Sequence, residues 1–367
     1  MGRKLRNFAL VGVINAAAVI LAVVAYYAYG KLTFEGYFCG RFARVDAEIG
    51  WVLSPNAASC IGGRAPFSAG PPWFEAKVYT DINGFRSAKS GMETARNGVI
   101  FAGDSWTFGF GVTFEESFPG QFQARSAAPA VVAASPAYGS AQALVLAERW
   151  IDRLAPRAIV YLDLGFWDRS ACRGATRPTA ILKPCYWQPP GASSAELVLP
   201  PPGMVEKSAS WGLMPGGMLG AGEDSWTYFI WSRPIAQFQQ ILVRLGLMSG
   251  FGHDFRAVGV DESAIQRGVF DHIVRIAAKA RVPVLLIDPG DIYAASYAAL
   301  APERGVHLHW VGSEHWKRAV AEPAAKLPAE LARVPHDGHF GPGTNALVAA
   351  LVQDRLSALG GLKGMPP

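Results

Sequence analysis

The sequence lacks the charge pattern of a nucleic-acid-binding protein. Its 367 residues include 34 lysines and arginines against 29 aspartates and glutamates, which gives a formal net charge of +5. These basic residues are scattered, and no stripe of them alternates with aromatic side chains. The small positive charge therefore says little about partners, and we expect no nucleic-acid partner.

Several common catalytic and cofactor-binding motifs are also missing. The chain contains no G-x-S-x-G elbow, no phosphate-binding P-loop and no G-x-G-x-x-G dinucleotide fingerprint. Nothing in the sequence thus indicates a nucleotide cofactor. We expect the protein to work without a metal ion or an organic cofactor.

Cysteine is scarce, with four residues in the whole chain. Cys39 and Cys60 lie in the N-terminal part, and Cys172 and Cys185 bracket a short loop. Two local disulfides in an oxidising compartment fit this arrangement, although the sequence does not fix which cysteines pair. Metal binding is the alternative, but no C-x-x-C motif supports it.

An apolar run extends from Phe8 to Tyr29 and contains no charged residue. About 20 apolar residues in a helix cross the hydrocarbon core of a membrane, and basic residues before such a run favour a cytoplasmic N-terminus. We predict a cytoplasmic tail at 1–7 and a transmembrane anchor at 8–29 in the inner membrane, with the rest of the chain on the periplasmic side. A cleaved signal peptide is the alternative.

The pattern of the chain changes near Val99. Before it, residues 30–97 are rich in glycine, proline and aromatics, and we treat them as an N-terminal extension of extended and turn segments. After it come short apolar runs with the length and β-branched content of buried strands: GVIFAG, AVVAAS at 130–135, AIVYLDL at 158–164 and PVLLID at 283–288.

Helical stretches separate or follow these strands, at Ala141–Leu154, Glu262–Ala280 and Gly343–Leu359. Short buried strands that alternate with helices indicate an α/β fold with a mainly parallel sheet covered on both faces. The alternation stops between about 173 and 260, where runs such as LPPPG and MPGGMLGAG occur with several tryptophans. Because long irregular insertions usually carry function or mobility, we predict a cap-like insertion over the site.

Ser105 is the candidate nucleophile. It lies in GDSWTFGFG, residues 103–111, directly after the first predicted strand. Ligands bind at the carboxyl ends of the strands in open α/β sheets. A helix that starts there would direct backbone N–H groups toward a developing oxyanion. A helix-capping turn is the alternative interpretation of G-D-S taken alone.

A candidate base lies near the other end of the chain, in HDGHFGPG at 336–343. A serine hydroxyl is a poor nucleophile until a base takes its proton, and an imidazole suits that task near neutral pH. His339 is the candidate base, and Asp337 can hold its ring through the other nitrogen. His336 is a competing base, and a turn with an exposed histidine is the non-catalytic alternative.

Together and in this order, the two motifs resemble the SGNH (GDSL-type) hydrolase superfamily. GDSWTFGFGV, with ESFPGQF downstream, is similar to a GDS-x-TFG subgroup of bacterial envelope proteins, and DGHFGPGTNALVAAL is similar to that subgroup's closing Asp-x-His block. The resemblance implies a three-layer, flavodoxin-like α/β domain at 98–360. It also implies that Ser105, His339 and Asp337 form a catalytic triad.

The resemblance implies further site residues. The backbone N–H groups of Ser105 and of Gly139, in AYGSAQ, are expected to hold the oxyanion. Where the family carries an asparagine after the third strand, this chain has Trp167, in LGFWDRS, so one expected oxyanion donor is replaced. Trp106, Gln142 and Trp167 are the candidate substrate-binding residues.

These features predict a membrane-anchored serine esterase that acts on ester groups, above all O-acyl groups, of an envelope carbohydrate or lipid. One alternative is an O-acyltransferase of a polysaccharide with the same triad. The other is a non-catalytic glycan-binding or scaffold protein, which the replacement at Trp167 favours. The sequence gives no indication of the oligomeric state.

Overall fold

The computed structural model describes residues 36–63, 72–165, 182–203, 261–300 and 306–362, together with positions 15, 21, 22, 25 and 205. The strands are β1 (Gly36–Phe38), β2 (Ala43–Asp46), β3 (Gly50–Leu53), β4 (Ala58–Gly63), β5 (Phe74–Thr80), β6 (Arg86–Ser87), β7 (Val99–Gly103), β8 (Ala130–Ala134), β9 (Ala158–Leu162), β10 (Cys185–Trp187), β11 (Glu196–Val198), β12 (Val284–Ile287) and β13 (Leu308–Val311). The helices are α1 (Ser105–Phe108), α2 (Phe118–Ser126), α3 (Ser140–Leu154), α4 (Glu262–Ala280), α5 (Ala294–Ala299), α6 (Ser313–Trp316), α7 (Glu322–Ala324), α8 (Ala329–Ala332) and α9 (Pro342–Ala358), with a π-helical turn at Lys317–Ala321.

A sheet of nine strands organises the described part of the chain, in the order β1-β4-β5-β6-β8-β7-β9-β12-β13. Its last five strands, from β8 to β13, are parallel. Within this half the chain starts at β7, moves outward to β8 and then returns to the other side of β7 to form β9. This is the flavodoxin-like order 2-1-3-4-5, which opens a ligand-binding crevice at the carboxyl ends of the first and third strands.

Strand alternation divides the parallel half between two hydrophobic cores. Val99 and Phe101 of β7 pack in the core that includes buried residues of α2 and α9. Ile100 and Ala102, one step along, belong to the core that includes α3 and α4. Because successive side chains of a strand point to opposite faces, each strand contributes to both cores, and the result is three layers.

The other half of the sheet is antiparallel, which corrects the prediction of a mainly parallel sheet. The β1–β4, β4–β5, β5–β6 and β6–β8 pairings are all antiparallel. Of these strands, β1, β4, β5 and β6 lie within 30–97, which the sequence predicts to be an extension of extended and turn segments. In β5, Ala76, Val78 and Thr80 are buried and alternate with more exposed residues, which is the period of a strand with one face on the core.

The prediction of a transmembrane helix is also corrected. Among the residues that the structure describes, no helix is long and apolar enough to cross a membrane. The prediction depended on the hydropathy of the run at 8–29, and an apolar run does not by itself establish a spanning helix. Nearly all of that run lies outside the described residues.

One disulfide joins the antiparallel half. Cys39 and Cys60 are bonded, with their Cα atoms 4.9 Å apart, and the Cys39 N–H donates to the Cys60 carbonyl at 3.0 Å. Cys185 is also disulfide-bonded, whereas Cys172 lies outside the described residues. Most of the predicted cap, from about 173 to 260, is likewise outside them.

A series of hydrogen bonds between polar side chains connects the β10–β11 hairpin to α3 and α4. The Tyr186 hydroxyl lies 2.8 Å from His272 Nδ1, and His272 Nε2 lies 3.0 Å from Glu148 Oε2. Tyr186 and His272 are almost completely buried. Burial lowers the pKa of His272 below 6.5 despite the hydrogen bond to Glu148, which acts in the opposite direction.

This lowered pKa predicts an acid-sensitive fold. Below pH 6.5 the unfolded chain binds a proton at position 272 that the folded protein resists, so stability falls as the pH drops toward the folded pKa, by up to about 1.4 kcal/mol per pH unit. We expect urea unfolding at pH 7 and pH 5 to show a smaller pH dependence for His272→Gln than for the unmodified protein. His307→Gln, at an exposed position, is the control and should keep the original dependence. If the free energy of unfolding of His272→Gln changed with pH as much as that of the unmodified protein, His272 would not be the source of the acid sensitivity.

Candidate active site

Ser105 lies at the carboxyl end of β7, as the first residue of the short helix α1. Asp104 caps this helix by accepting a hydrogen bond from the Trp106 N–H at 3.0 Å. Gly103 permits the tight turn, because a Cβ at this position would lie 2.0 Å from Thr107 Oγ1. The turn thus places Ser105 at the sheet edge where ligands bind in this topology.

A short loop before α9 carries the two other predicted triad residues. Arg333 and Phe340 pair across the ends of this loop in an antiparallel bridge. Between them, His339 Nδ1 is hydrogen-bonded to Asp337 Oδ1, and His339 Nε2 lies 2.8 Å from Ser105 Oγ. The fold therefore brings together three side chains from opposite ends of the domain in the order hydroxyl, imidazole, carboxylate.

Asp337 is held in its ionised form. Burial would raise the pKa of its carboxyl group, but hydrogen bonds from the His339 ring and backbone, together with the imidazole charge, outweigh burial and hold the pKa below 3.8. Near neutral pH this residue thus presents a carboxylate to His339. Such a partner orients an imidazole and stabilises it once it is protonated.

Two aromatic rings flank the imidazole. The centroid of the Trp106 ring lies 4.8 Å from that of His339, and the centroid of Phe110 lies 4.7 Å away from it. Trp106 was a candidate substrate-binding residue, and the structure places it against the candidate base. The contact of Phe110 was not predicted, although this residue belongs to the same GDSWTFGFG segment.

Arg86 binds the backbone of this segment, and the sequence did not predict its contribution to the site. It is fully buried, and its guanidinium donates to the backbone carbonyls of Phe108, Gly109 and Val112. Burial lowers the pKa of Arg86 to about 9, so the side chain stays charged at neutral pH. These contacts join β6 to the end of α1 and the turn that follows it.

The sequence predicts that the backbone N–H of Gly139 holds the oxyanion, and in this structure that N–H has a hydrogen-bond partner within the protein. The Gly139 N–H donates to Gln142 Oε1 at 3.2 Å, because a glutamine at the third helical position can reach back to the N–H of the capping residue. Gln142 is completely buried, and its Nε2 donates to the Ile49 carbonyl at 2.9 Å. The amide of Gln142 therefore closes the start of α3, and its assignment to substrate binding stays a prediction. The Gly139 N–H is already engaged in this geometry.

The backbone N–H of Ser105 is the other predicted oxyanion donor. As the first residue of a helix, Ser105 has an N–H with no intrahelical acceptor. Trp167, at the position of the family asparagine, lies outside the described residues, as does the rest of 166–181. The proposed roles of both residues remain predictions.

A small polar cavity beside the nucleophile turn is lined by Gly103, Gly139 and Asp163, among others. Asp163 follows β9 and is buried; it accepts hydrogen bonds from Tyr161 Oη at 3.0 Å and Tyr293 Oη at 2.5 Å. Burial, and then the charge of Asp163, raise the pKa of both tyrosines well above 10. Both hydroxyls therefore remain protonated donors, and they fix this carboxylate in the cavity wall.

The competing base lies away from the serine. His336 is exposed, has a left-handed backbone with φ of 57° and stacks on Trp73 with ring centroids 4.0 Å apart. His339 is the imidazole that meets Ser105.

Metal ligands come together at one place in the described segments. Cys39, Cys60 and Glu75 lie close to one another there, but both thiols are consumed in the disulfide. The expectation that the protein needs no metal ion or cofactor remains a prediction.

Comparison with known proteins gives a structural likeness alone. No family model and no curated protein matches the chain. A solved structure described as a carbohydrate esterase, whose active site displays divergent catalytic and non-catalytic binding functions, is similar over 90% of this chain and 99% of its own length. The sequence identity is 11% and the TM-score is 0.31. With values so low, the likeness indicates nothing about activity or substrate.

Proposed function

We propose that this protein is a serine hydrolase that cleaves carboxylic esters through Ser105, His339 and Asp337. The observation that carries the proposal is the position of His339, which lies 2.8 Å from Ser105 Oγ through one ring nitrogen and is bonded to Asp337 through the other. A nucleophile, a base and an orienting carboxylate in this arrangement are the groups that acyl transfer requires.

In the proposed reaction, Asp337 keeps the Nδ1 proton on His339 and leaves Nε2 free to accept a proton. Ser105 Oγ attacks the ester carbonyl carbon as its proton moves to Nε2, and the Ser105 N–H donates to the resulting oxyanion. The tetrahedral intermediate expels the alcohol, which takes the proton from Nε2. Water then attacks the acyl-serine in the same way and releases the carboxylic acid.

We propose an O-acylated carbohydrate as the substrate. Trp106 lies partly exposed beside His339, and aromatic side chains at such positions bury apolar surface of a ligand while polar groups orient it. The disulfide between Cys39 and Cys60 supports work in an oxidising, extracytoplasmic compartment.

The test is labelling with a fluorophosphonate probe, which reacts only with an activated serine. We expect the unmodified protein to be labelled and Ser105→Ala to remain unlabelled, because no other described serine meets an imidazole that is itself bonded to a carboxylate. Circular dichroism of both proteins controls for folding.

Absence of labelling in a folded protein would contradict the hydrolase proposal and favour a non-catalytic glycan-binding role. If labelling succeeds, product analysis separates hydrolysis from transfer. A hydrolase releases free acetate from an acetyl ester in the presence of sugar acceptors, whereas a transferase yields the acetylated sugar.

A further inference from the structure

An exposed arginine lies next to the proposed triad and has no part in it. The guanidinium carbon of Arg333 lies 5.4 Å from the centroid of the Trp106 ring and 5.6 Å from that of Phe340. Trp106 in turn contacts the His339 ring. Arg333 and the candidate base therefore contact the same indole, and that indole directly follows the nucleophile in the chain.

The charge of Arg333 has no carboxylate partner among the described residues. One of its Nη atoms donates to the Gly338 carbonyl at 2.6 Å, and a guanidinium has five N–H donors. The nearest acidic residue in the loop, Asp337, is bonded to His339. An exposed cation with spare donors thus lies at the edge of the proposed active site.

The packing of Arg333 also limits its freedom. Its contacts with two aromatic rings and one carbonyl hold a long side chain in one place, which lowers the entropic cost of binding a ligand. The guanidinium fork matches a carboxylate in a bidentate pair. Among the described residues these ring contacts place one guanidinium here. One bidentate pair matches the two oxygens and single charge of a carboxylate, whereas a phosphate group has three acceptor oxygens and more charge to be matched, so the geometry favours a carboxylate.

We propose that Arg333 is a specificity-determining residue that binds a carboxylate of the substrate, so that the ester cleaved at Ser105 is carried by an acidic carbohydrate, such as a uronate. The inference rests on the proposed hydrolase function for the reaction, but the binding site can be tested without it.

Binding is measured by calorimetry in Ser105→Ala, where no turnover interferes. We expect trigalacturonate to bind and neutral xylotriose to bind at least about tenfold more weakly, the difference expected for a hydrogen-bonded charge. Arg333→Gln in the same background should remove this preference, and added salt should weaken binding of the acid alone. Arg96→Gln makes the same charge change at an exposed position before β7, at the opposite edge of the sheet, and should bind like the parent.

Equal binding of the two sugars, or a preference that survives Arg333→Gln, would overturn the proposal. The unmodified protein could instead prefer the acidic sugar but show neither ester hydrolysis nor fluorophosphonate labelling. That result would contradict the hydrolase function and support the carboxylate site.

Kinetics separate binding by Arg333 from mere positioning of the loop through Gly338. The paired substrates are 4-acetoxybenzoate and 4-acetoxybenzamide, which differ in charge but carry the same acetyl ester. Arg333→Gln should raise KM for the benzoate about tenfold or more relative to KM for the benzamide. A fall in kcat for both substrates would assign Arg333 to loop positioning and overturn the carboxylate site.

Discussion

Replacing Ser105 with alanine is expected to lower kcat for p-nitrophenyl acetate by about 10³-fold or more, because no acyl-enzyme can then form. His339→Ala should cost a similar factor, since the serine hydroxyl loses the base that lies 2.8 Å away. Groups that act as one unit are not additive, so the double variant should be hardly worse than either single variant. Initial rates at saturating substrate measure all three.

Two further variants serve as comparisons for these losses of activity. Asp337→Asn should lose less than the other two, because it removes an orienting group and leaves the nucleophile and base in place. Ser90→Ala changes a hydroxyl that is bonded to the Asn56 carbonyl, and it should retain full activity. Additive losses for Ser105 and His339, or turnover preserved in Ser105→Ala, would show that the two side chains do not work as a nucleophile and its base.

The parallel half of the sheet was predictable because its signals are local. The run GVIFAG contains β7, and the periodic stretch Glu262–Ala280 is α4 at the same bounds, with Asp261 accepting from the Ser263 N–H as its cap. A five-residue apolar run or a capped amphipathic stretch needs no distant partner to be recognised.

Part of the antiparallel half could not be predicted because its strands are defined by their neighbours in the sheet. β6 has two residues, and it meets β8 through the single pair Arg86 and Val132. Such a short strand exists only because its neighbours hold it, so no periodicity marks it in the sequence.

The candidate site likewise contains residues that local sequence predicts and residues that it does not. The motifs around Ser105 and His339 name the reacting groups, since chemistry restricts which residue types serve. The engagement of the Gly139 N–H depends on which way Gln142 turns, although a glutamine three positions after a capping residue is a readable helix-start signal. The buried contacts of Arg86 and the flanking ring of Phe110 are set by packing between distant segments, which residue types alone do not specify.

Arg86→Met is expected to lower the free energy of unfolding by about 3 kcal/mol or more, because it leaves buried carbonyls without donors, each worth roughly 1 to 3 kcal/mol. In the folded protein the guanidinium donates to three carbonyls in the turn after α1. Methionine fills much of the space but donates nothing. Urea unfolding measures the loss, and an unchanged m-value would show that the effect is on stability itself.

The same change should lower esterase activity in the fraction that remains folded, since the loosened turn carries Phe110 against His339. Arg86→Lys distinguishes charge from geometry: a single ammonium cannot reach three carbonyls as the planar guanidinium does, so it should recover only part of the stability. Arg96→Met, at an exposed position, should change the unfolding free energy by no more than about 0.5 kcal/mol. If Arg86→Met proved as stable as that control, the buried guanidinium would not be what holds the nucleophile turn, and the rigidity of this edge of the sheet would have to come from the packing of Phe108 and its neighbours alone.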